Sequence, residues 1–336
     1  MSKRTWSSLF FLLAVGGVIA AVAAASPPAG APGLAQAIAA QERHTDALLA
    51  LDGVVGTAAT DRDGVGAVAV LTARAGVAGI PDSLDGVDVV VIVTGPISAI
   101  LPKAPGGGGK VDPKSRFARP VPIGVSTGNV GECSAGTIGA RVRSGANVYA
   151  LSNNHVYARE NAAPIGSQVL QPGRFDTGCA VDPADVIGTL SSFVPISFSG
   201  NNTVDAAIAS TTTANVGNAT PSNGYGTPTS ATTAAAVNMA VQKYGRTSSL
   251  TKGTITMVNA TVDVGYGAGT ARFVNQIVVQ SNKPFIKPGD SGSLLVTNPG
   301  RSPVGLLFAG NQNGSFAVAN RIQDVLSAFG VTVDGS

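Results

Sequence analysis

Three side chains suited to nucleophilic catalysis occur along the second half of the chain, in the order His155, Asp205 and Ser291. A serine hydroxyl attacks a carbonyl at neutral pH only when a base accepts its proton and a further group orients that base. His155 follows the apolar run "VYAL", which leads into a polar turn. Asp205 precedes the small apolar run "AAIA", which partly desolvates the carboxylate and favours a hydrogen-bonding partner such as an imidazole N–H.

The segment around Ser291, "PGDSGS", predicts a tight bend, because Gly289 and Gly292 tolerate backbone conformations with positive φ. Such a bend can direct the amides of Gly289 and Ser291 into one concavity, where they would hold the negative oxygen of a tetrahedral intermediate. Taken alone, Gly-Asp-Ser-Gly is also a common turn. We expect Asp290 to be structural and to pin the loop.

Each of these residues also has a structural interpretation. A lone histidine in a β protein can be structural, and an aspartate at the start of a strand can be a cap. His44, the other histidine of the chain, lies in a predicted helix and is expected to be a solvated surface residue. The remaining acids nearby are expected in loops: Asp176, Asp182 and Asp185.

From residue 121 to the end, short runs of small and β-branched residues alternate with Gly, Asn, Pro and Ser. Many short strands at this spacing indicate an all-β sandwich or barrels, and the length suits two small packed barrels. The only long amphipathic pattern is "ANRIQDVLSAFG", near the C-terminus.

The motifs "LSNNHV", "VDAAIA" and "GDSGSLL" resemble the His, Asp and Ser motifs of the chymotrypsin-like, trypsin-fold serine peptidases. The "NNH" form resembles a branch that includes plant narrow-leaf-type proteins and bacterial relatives; Asn153 and Asn154 stand where the common form has Ala-Ala. The resemblance covers about residues 121–336. It implies two packed six-stranded β-barrels of trypsin type, with His155 and Asp205 from the first and Ser291 from the second.

The resemblance also implies an activity. Ser291 would hydrolyse peptide bonds through an acyl-enzyme, with a protein or peptide as substrate, and Phe308, Ala309 and Gly310 would line the substrate pocket. No acid precedes the Ser motif, which favours small or apolar substrate side chains. No Ile-Val-Gly-Gly start occurs, so activation by a new N-terminus is not expected. The alternatives are an inactive trypsin-fold binding scaffold and an esterase with the same triad.

Residues 1–26 indicate an export signal, with a basic start at Lys3 and Arg4 and an apolar run ending in small residues at Ala23 and Ala25. The chain is therefore expected to be secreted, periplasmic or extracellular. An uncleaved membrane anchor is the alternative, although a run of about 17 residues is at the short end for a bilayer.

Residues 27–100 predict a small α/β N-terminal module, with a helix followed by strands, that precedes the all-β domain. It is either a propeptide, which assists folding or covers the cleft until it is cut, or a permanently attached binding domain. Residues 101–120 form a Pro/Gly/basic linker. Two interpretations of this linker remain open: its exposed basic residues form a site that proteases cleave easily, or the linker is a tether that aids solubility. The basic residues are Lys110, Lys114, Arg116 and Arg119.

The 336 residues carry a formal net charge of +3, and only 12% are charged, so no electrostatic footprint for nucleic acid is present. In an exported chain, Cys133 and Cys179 are expected to form a disulfide; two buried free thiols are the alternative. No cysteine and histidine spacing indicates a metal site, and no cofactor is expected.

Overall fold

The computed structural model describes residues 31–99 and 111–336. The predicted export signal and the first half of the predicted linker lie outside these ranges. Within the described residues, every helix is too short or too polar to cross a membrane.

The N-terminal module contains the predicted helix and strands. The helix α1 spans Leu34–Leu49, and its buried Ala40 and Leu48 pack against the sheet. The strands of the module are β1 (Val54–Arg62), β2 (Val65–Thr72), β3 (Ser83–Leu84), β4 (Val87–Val93) and β5 (Ser98–Ala99). The segment between β2 and β4 holds turns and β3. Its glycines 76, 79 and 86 all have positive φ, which a helix does not allow.

The first sheet of the following domain is a half-barrel that carries the His and Asp motifs. Its strand order is β20-β8-β9-β13-β11-β10-β6-β7. The strands are β6 (Ser126–Asn129), β7 (Gly136–Thr137), β8 (Ala140–Ser144), β9 (Asn147–Ser152), β10 (Gln168–Leu170), β11 (Val186–Phe193), β13 (Ala207–Thr211) and β20 (Thr332–Val333). A four-residue helix, α2 (Asn154–Tyr157), follows β9.

The second sheet closes into a ring of six strands in the order β14-β15-β16-β19-β18-β17, with β17 returning to β14. The strands are β14 (Ala240–Gly245), β15 (Ser249–Gly265), β16 (Thr270–Gln280), β17 (Leu294–Thr297), β18 (Pro303–Gly310) and β19 (Phe316–Arg321). A short strand, β12 (Asn201–Asn202), adds to β16, and α3 (Ile322–Phe329) follows β19. The expected trypsin-like double barrel is therefore confirmed.

The N-terminal module is continuous with the second barrel, which the sequence did not indicate. Strand β1 pairs with β15 in antiparallel fashion, and β5 pairs with both β15 and β18. The module and the barrel thus form one sheet of twelve strands. Backbone hydrogen bonds across these pairs fix the module against the hairpin of β15 and β16.

Residues 111–120 are anchored to the first barrel rather than extended as a tether. The guanidinium of Arg116 contacts the buried carboxylate of Asp185, with Nη2 2.8 Å from Oδ2. Arg119 donates to the carbonyls of Ala184 and Val186. Bidentate arginine contacts and backbone acceptors of this kind hold a chain segment in place. The domain therefore begins at least as early as the second half of the predicted linker.

Cys133 and Cys179 form the predicted disulfide. It ties the segment that precedes β7 to the loop that follows β10, across a separation of 46 residues. Neither segment belongs to a long strand, so few backbone hydrogen bonds hold it in the folded protein. The disulfide stabilises the fold mainly by restricting the conformations of the unfolded chain.

Candidate active site

His155 is positioned by the end of β9, a central strand of the first sheet. The strand ends at Ser152, and α2 turns the imidazole into the protein interior, where its side chain is fully buried. The two asparagines before it hold this turn. Asn153 Nδ2 donates to the carbonyl of Asp205 at 2.7 Å, and Asn154 Nδ2 donates to the carbonyl of Val194 at 2.7 Å. Asn153 therefore links the His turn to the Asp segment, and Asn154 links it to the residue after β11.

Asp205 lies two residues before β13 and its side chain is fully buried. Its Oδ2 lies 2.6 Å from Nδ1 of His155, and its Oδ1 accepts a hydrogen bond from the His155 amide at 3.2 Å. These two contacts orient the imidazole so that Nδ1 carries the proton and Nε2 is the basic nitrogen. The structure brings the predicted base and acid together.

Tyr266 also contacts this carboxylate, and sequence reasoning missed it. Its hydroxyl donates to Oδ2 of Asp205 at 2.8 Å, and its ring lies edge-on to the imidazole, 5.9 Å between centroids. Burial, together with the negative charge of Asp205, raises the pKa of Tyr266 well above its usual value of 10. The phenol is therefore a permanent donor at physiological pH. It lies just after the end of β15, about sixty residues from the Asp motif.

Ser291 lies in the loop before β17, against the first barrel. Its carbonyl accepts a hydrogen bond from Thr137 N at 2.8 Å. A Cβ placed on Gly136 would lie 2.5 Å from Val156 Cγ2 and 3.0 Å from the Ser291 carbonyl oxygen. Gly136 therefore touches both the residue after His155 and the Ser loop, and only a glycine fits between them.

The last hydrogen bond of a Ser-His-Asp row is not formed in this structure. The Nε2 of His155 is buried and makes no hydrogen bond to any described residue, while Ser291 Oγ lies 3.4 Å from the carbonyl of Phe308. Catalytic hydrogen bonds are often long before substrate binds. The predicted base and acid are thus in contact, and Ser291 lies in a loop that packs against the residue after His155 through Gly136.

The buried carboxylate of Asp290 holds the Ser loop. It accepts hydrogen bonds from the amides of Thr247, Ser248 and Lys287, and from the Ser248 hydroxyl. The Nζ of Lys243, fully buried in β14, lies 3.0 Å from Oδ2. Burial alone would raise the pKa of Asp290, but the Lys243 ammonium and the hydrogen bonds outweigh it and keep the pKa below the ordinary value.

Lys243 occupies the position of a counter-charge that sequence reasoning did not assign. An internal ammonium makes insertion of a new N-terminus unnecessary for neutralising Asp290. This agrees with the missing Ile-Val-Gly-Gly start and with a structural role for Asp290. A lysine inside the strand-like run "AVQKYG" was the available sequence signal, but its partner could not be identified without the fold.

The predicted substrate strand is β18, and its last three residues are Phe308, Ala309 and Gly310. The strand is already paired. Ala309 lies opposite Ala99 and Gly310 opposite Ser98, in antiparallel register with β5. Phe308 is buried against Phe273, with 4.7 Å between ring centroids. The N-terminal module therefore occupies the edge along which a substrate backbone is expected.

The three acids expected in loops lie in or beside short 3₁₀ turns, where they are structural. Asp176 forms a bidentate pair with the buried guanidinium of Arg246, and Asp182 caps the turn that follows it in the chain. Asp185 pairs with Arg116. Buried ion pairs of this kind contribute to the position of the loops rather than to chemistry.

Replacing Lys243 tests how the Ser loop is held. We expect Lys243→Met to lower the free energy of unfolding by about 3–5 kcal/mol, because Asp290 would remain as an unpaired buried charge. Lys243→Met/Asp290→Asn should lose less than Lys243→Met alone. Urea unfolding at pH 7, in a Ser291→Ala background to prevent self-digestion, provides the measurement. A loss below about 1 kcal/mol for the single variant would show that the pair does not support the loop.

The raised pKa of Tyr266 predicts a loss of stability in alkali. Above pH 10 a tyrosine of the unfolded chain releases its proton while Tyr266 of the folded chain keeps it, so rising pH favours unfolding. The free energy of unfolding of Tyr266→Phe should therefore fall less steeply than that of the parent, by up to about 1.4 kcal/mol per pH unit. Urea titrations of both proteins at pH 9, 10 and 11 would measure this. Equal slopes would contradict the buried Tyr266–Asp205 contact.

No family model matches the chain, and the comparison with curated proteins finds no match. Solved structures are similar in fold. A protein described as a glutamic acid specific serine protease is 24% identical, covers 63% of this chain and 100% of its own, and has a TM-score of 0.45. Thermobifida fusca protease A is 22% identical, covers 64% of this chain and 100% of its own, and has a TM-score of 0.47. Cellulomonas bogoriensis chymotrypsin is 24% identical, covers 64% of this chain and 99% of its own, and has a TM-score of 0.44. Identities and TM-scores this low establish no shared function.

Proposed function

We propose that this chain is an exported serine endopeptidase that uses His155, Asp205 and Ser291. The observation that carries the proposal is the buried contact of 2.6 Å between Nδ1 of His155 and Oδ2 of Asp205. Burial of a carboxylate costs free energy that only pairing and hydrogen bonds offset, and buried titratable pairs of this kind are concentrated at functional sites. The opposite nitrogen of the ring, Nε2, is buried and makes no hydrogen bond to a described residue, and the proposal assigns it as the base.

The reaction follows from these positions. Ser291 Oγ attacks the substrate carbonyl carbon while His155 Nε2 accepts the hydroxyl proton, and Asp205 stabilises the imidazolium that results. The amides of Gly289 and Ser291 hold the oxyanion of the tetrahedral intermediate. His155 then gives its proton to the leaving amine. Water attacks the acyl-enzyme by the same route in reverse and releases the second product.

The three hydrogen bonds to Asp205 fit this role. The His155 amide fixes Oδ1, whereas the imidazole Nδ1–H and the Tyr266 hydroxyl share Oδ2. A carboxylate with this many donors is held in a fixed orientation. It therefore keeps the imidazole in the tautomer that presents Nε2 to the nucleophile.

The N-terminal module acts as a propeptide in this proposal. The pairing of Ser98 and Ala99 with Gly310 and Ala309 uses backbone groups that an extended substrate would use. Asn311 Nδ2 adds a hydrogen bond of 3.2 Å to the carbonyl of Thr94. The module thus covers the cleft until the chain is cut after β5, and the enzyme is made as an inactive precursor.

Small or apolar side chains are the proposed substrate preference. The pocket strand contributes Phe308, Ala309 and Gly310, and none of these can neutralise a charged side chain. An inactive binding scaffold and an esterase remain as outcomes of the experiments below. The scaffold predicts no Ser291-dependent chemistry, and the esterase predicts ester turnover without peptide cleavage.

Ser291→Ala should reduce the kcat for casein digestion by about 10⁴-fold or more, because no other hydroxyl replaces the nucleophile. Fluorophosphonate labelling of residues 27–336 should disappear in the same variant. Ser144→Ala, at an exposed strand end, is the matched control and should react like the parent. Labelling that survives in Ser291→Ala would exclude Ser291 as the nucleophile, and ester turnover without casein digestion would indicate an esterase.

Maturation provides a separate prediction. Chains with Ser291 should gain a new N-terminus downstream of Ala99, whereas Ser291→Ala chains should keep the module attached. N-terminal sequencing of both purified proteins measures this. The trimmed protein should label faster with fluorophosphonate than the intact precursor, because β18 is then open. Identical N-termini in both proteins, or equal labelling of intact and trimmed forms, would argue against a propeptide.

A further inference from the structure

We propose that Thr247 is a positioning residue that keeps the oxyanion hole formed by turning the carbonyl of Pro288 away from the cleft. The inference rests on the proposed function. Thr247 lies in the turn between β14 and β15, outside the motifs that the sequence analysis identified. Its hydroxyl donates to the Pro288 carbonyl at 2.6 Å.

The geometry of the peptide group gives this contact its consequence. In a trans peptide the C=O of one residue and the N–H of the next point in opposite directions. Fixing the Pro288 carbonyl on Thr247 therefore directs the Gly289 N–H to the opposite side. No described residue accepts a hydrogen bond from that amide. A rotated Pro288–Gly289 peptide would instead place a carbonyl oxygen, with its partial negative charge, where the oxyanion forms.

The next two carbonyls of the loop are held in a similar way. Thr137 Oγ1 donates to the Gly289 carbonyl at 2.9 Å. The Asp290 carbonyl accepts from both the amide and the hydroxyl of Ser293, at 3.0 and 2.5 Å. Because the Asp290 carbonyl and the Ser291 N–H belong to one trans peptide, fixing that carbonyl on Ser293 directs the Ser291 N–H away from Ser293. Three hydroxyl groups thus fix three consecutive carbonyls, and the Thr247 contact controls one of the two proposed donors.

Thr247 is itself fixed by charged neighbours. Its hydroxyl accepts a hydrogen bond from Arg246 Nη1 at 2.8 Å, and its amide donates to Asp290 Oδ1 at 2.8 Å. Because the guanidinium hydrogen occupies one lone pair, the hydroxyl proton is left to donate to Pro288. Arg246 is buried and paired with Asp176 of the first barrel. The contact therefore links both barrels to one peptide group.

Gly289 leaves no room for a different arrangement. Its φ is 97°, a conformation that favours glycine. A Cβ at this position would lie 2.5 Å from Arg246 Nη1 and 2.6 Å from Thr247 Oγ1. The loop backbone thus packs directly on the two side chains that hold it. Close packing of this kind transmits the position of Thr247 to the amide of Gly289.

Thr247→Val tests the proposal, because valine keeps the β-branched shape and removes the hydroxyl. With p-nitrophenyl acetate as the probe, we expect kcat to fall about 10- to 100-fold and KM to change by less than about threefold, since a weakened oxyanion donor acts in the transition state. The pH profile should stay that of the parent, because Thr247 does not contact His155 or Asp205. Thr247→Ser should restore kcat to within about threefold of the parent.

Thr251→Val is the matched control. Thr251 lies on the adjoining strand β15 and donates to the carbonyl of Phe285 at 2.8 Å, a peptide outside the proposed hole. It should react like the parent. A kcat within about threefold of the parent for Thr247→Val, or an equal loss in Thr251→Val and Thr247→Val, would overturn the inference.

Crystal structures of the parent and of Thr247→Val separate this inference from the proposed function. We expect the Pro288 carbonyl to turn towards the cleft in the variant and to stay on Thr247 in the parent. If the parent has no Ser291-dependent turnover, the proposed function fails while the rotation still tests the positioning role. An unrotated Pro288 carbonyl in the variant would overturn the inference whatever the activity.

Discussion

The buried carboxylate of Asp290 is the constraint on which the Ser loop depends. A carboxylate without solvent must be matched by a cation and by donors, and Lys243, Ser248 and the amides around it supply both. Since Lys243 and Ser248 belong to β14 and to the turn after it, this requirement ties the loop before β17 to a different part of the same barrel. The backbone conformation at Ser291 is thus set by the hydrogen bonds and the ion pair of the Asp290 carboxylate.

A second buried acid organises the first barrel in the same manner. Asp205 joins the His turn to β13 and, through Tyr266, to the end of β15 in the second barrel. The two acids therefore act as junctions between elements that are distant in sequence. Asp205 is satisfied by groups from both barrels, and Asp290 by groups from β14, the turn after it and the loop before β17. The site is assembled by polar contacts at the interface of the two barrels, where one apolar cluster also joins Leu151 of the first sheet to Leu306 of the second.

The sequence predicted the disulfide from the expected export and the pairing of His155 with Asp205 from a desolvated acid. Strand-like runs alone left a sandwich or barrels open, and the double barrel was implied by the resemblance of the three motifs to trypsin-fold peptidases. The sequence could not predict Lys243 or Tyr266 as partners. Lys243 meets Asp290 only because β14 pairs with β17, and Tyr266 meets Asp205 only because the two barrels pack together. The sequence also separated the module from the barrel at a Gly/Pro-rich segment, although β1 pairs with β15. Pairing between distant strands leaves no local signal in composition.

The shared twelve-stranded sheet has a consequence for the proposed maturation, in which the module is removed. Strand β1 covers β15 between Met257 and Val262, so its loss would bare a row of amides and carbonyls there. Unpaired edge strands pair with other extended chains, including the same strand of another molecule. To avoid aggregation, the barrel without the module would then need a partner chain, a bound peptide or a strong local twist at the exposed edge of β15.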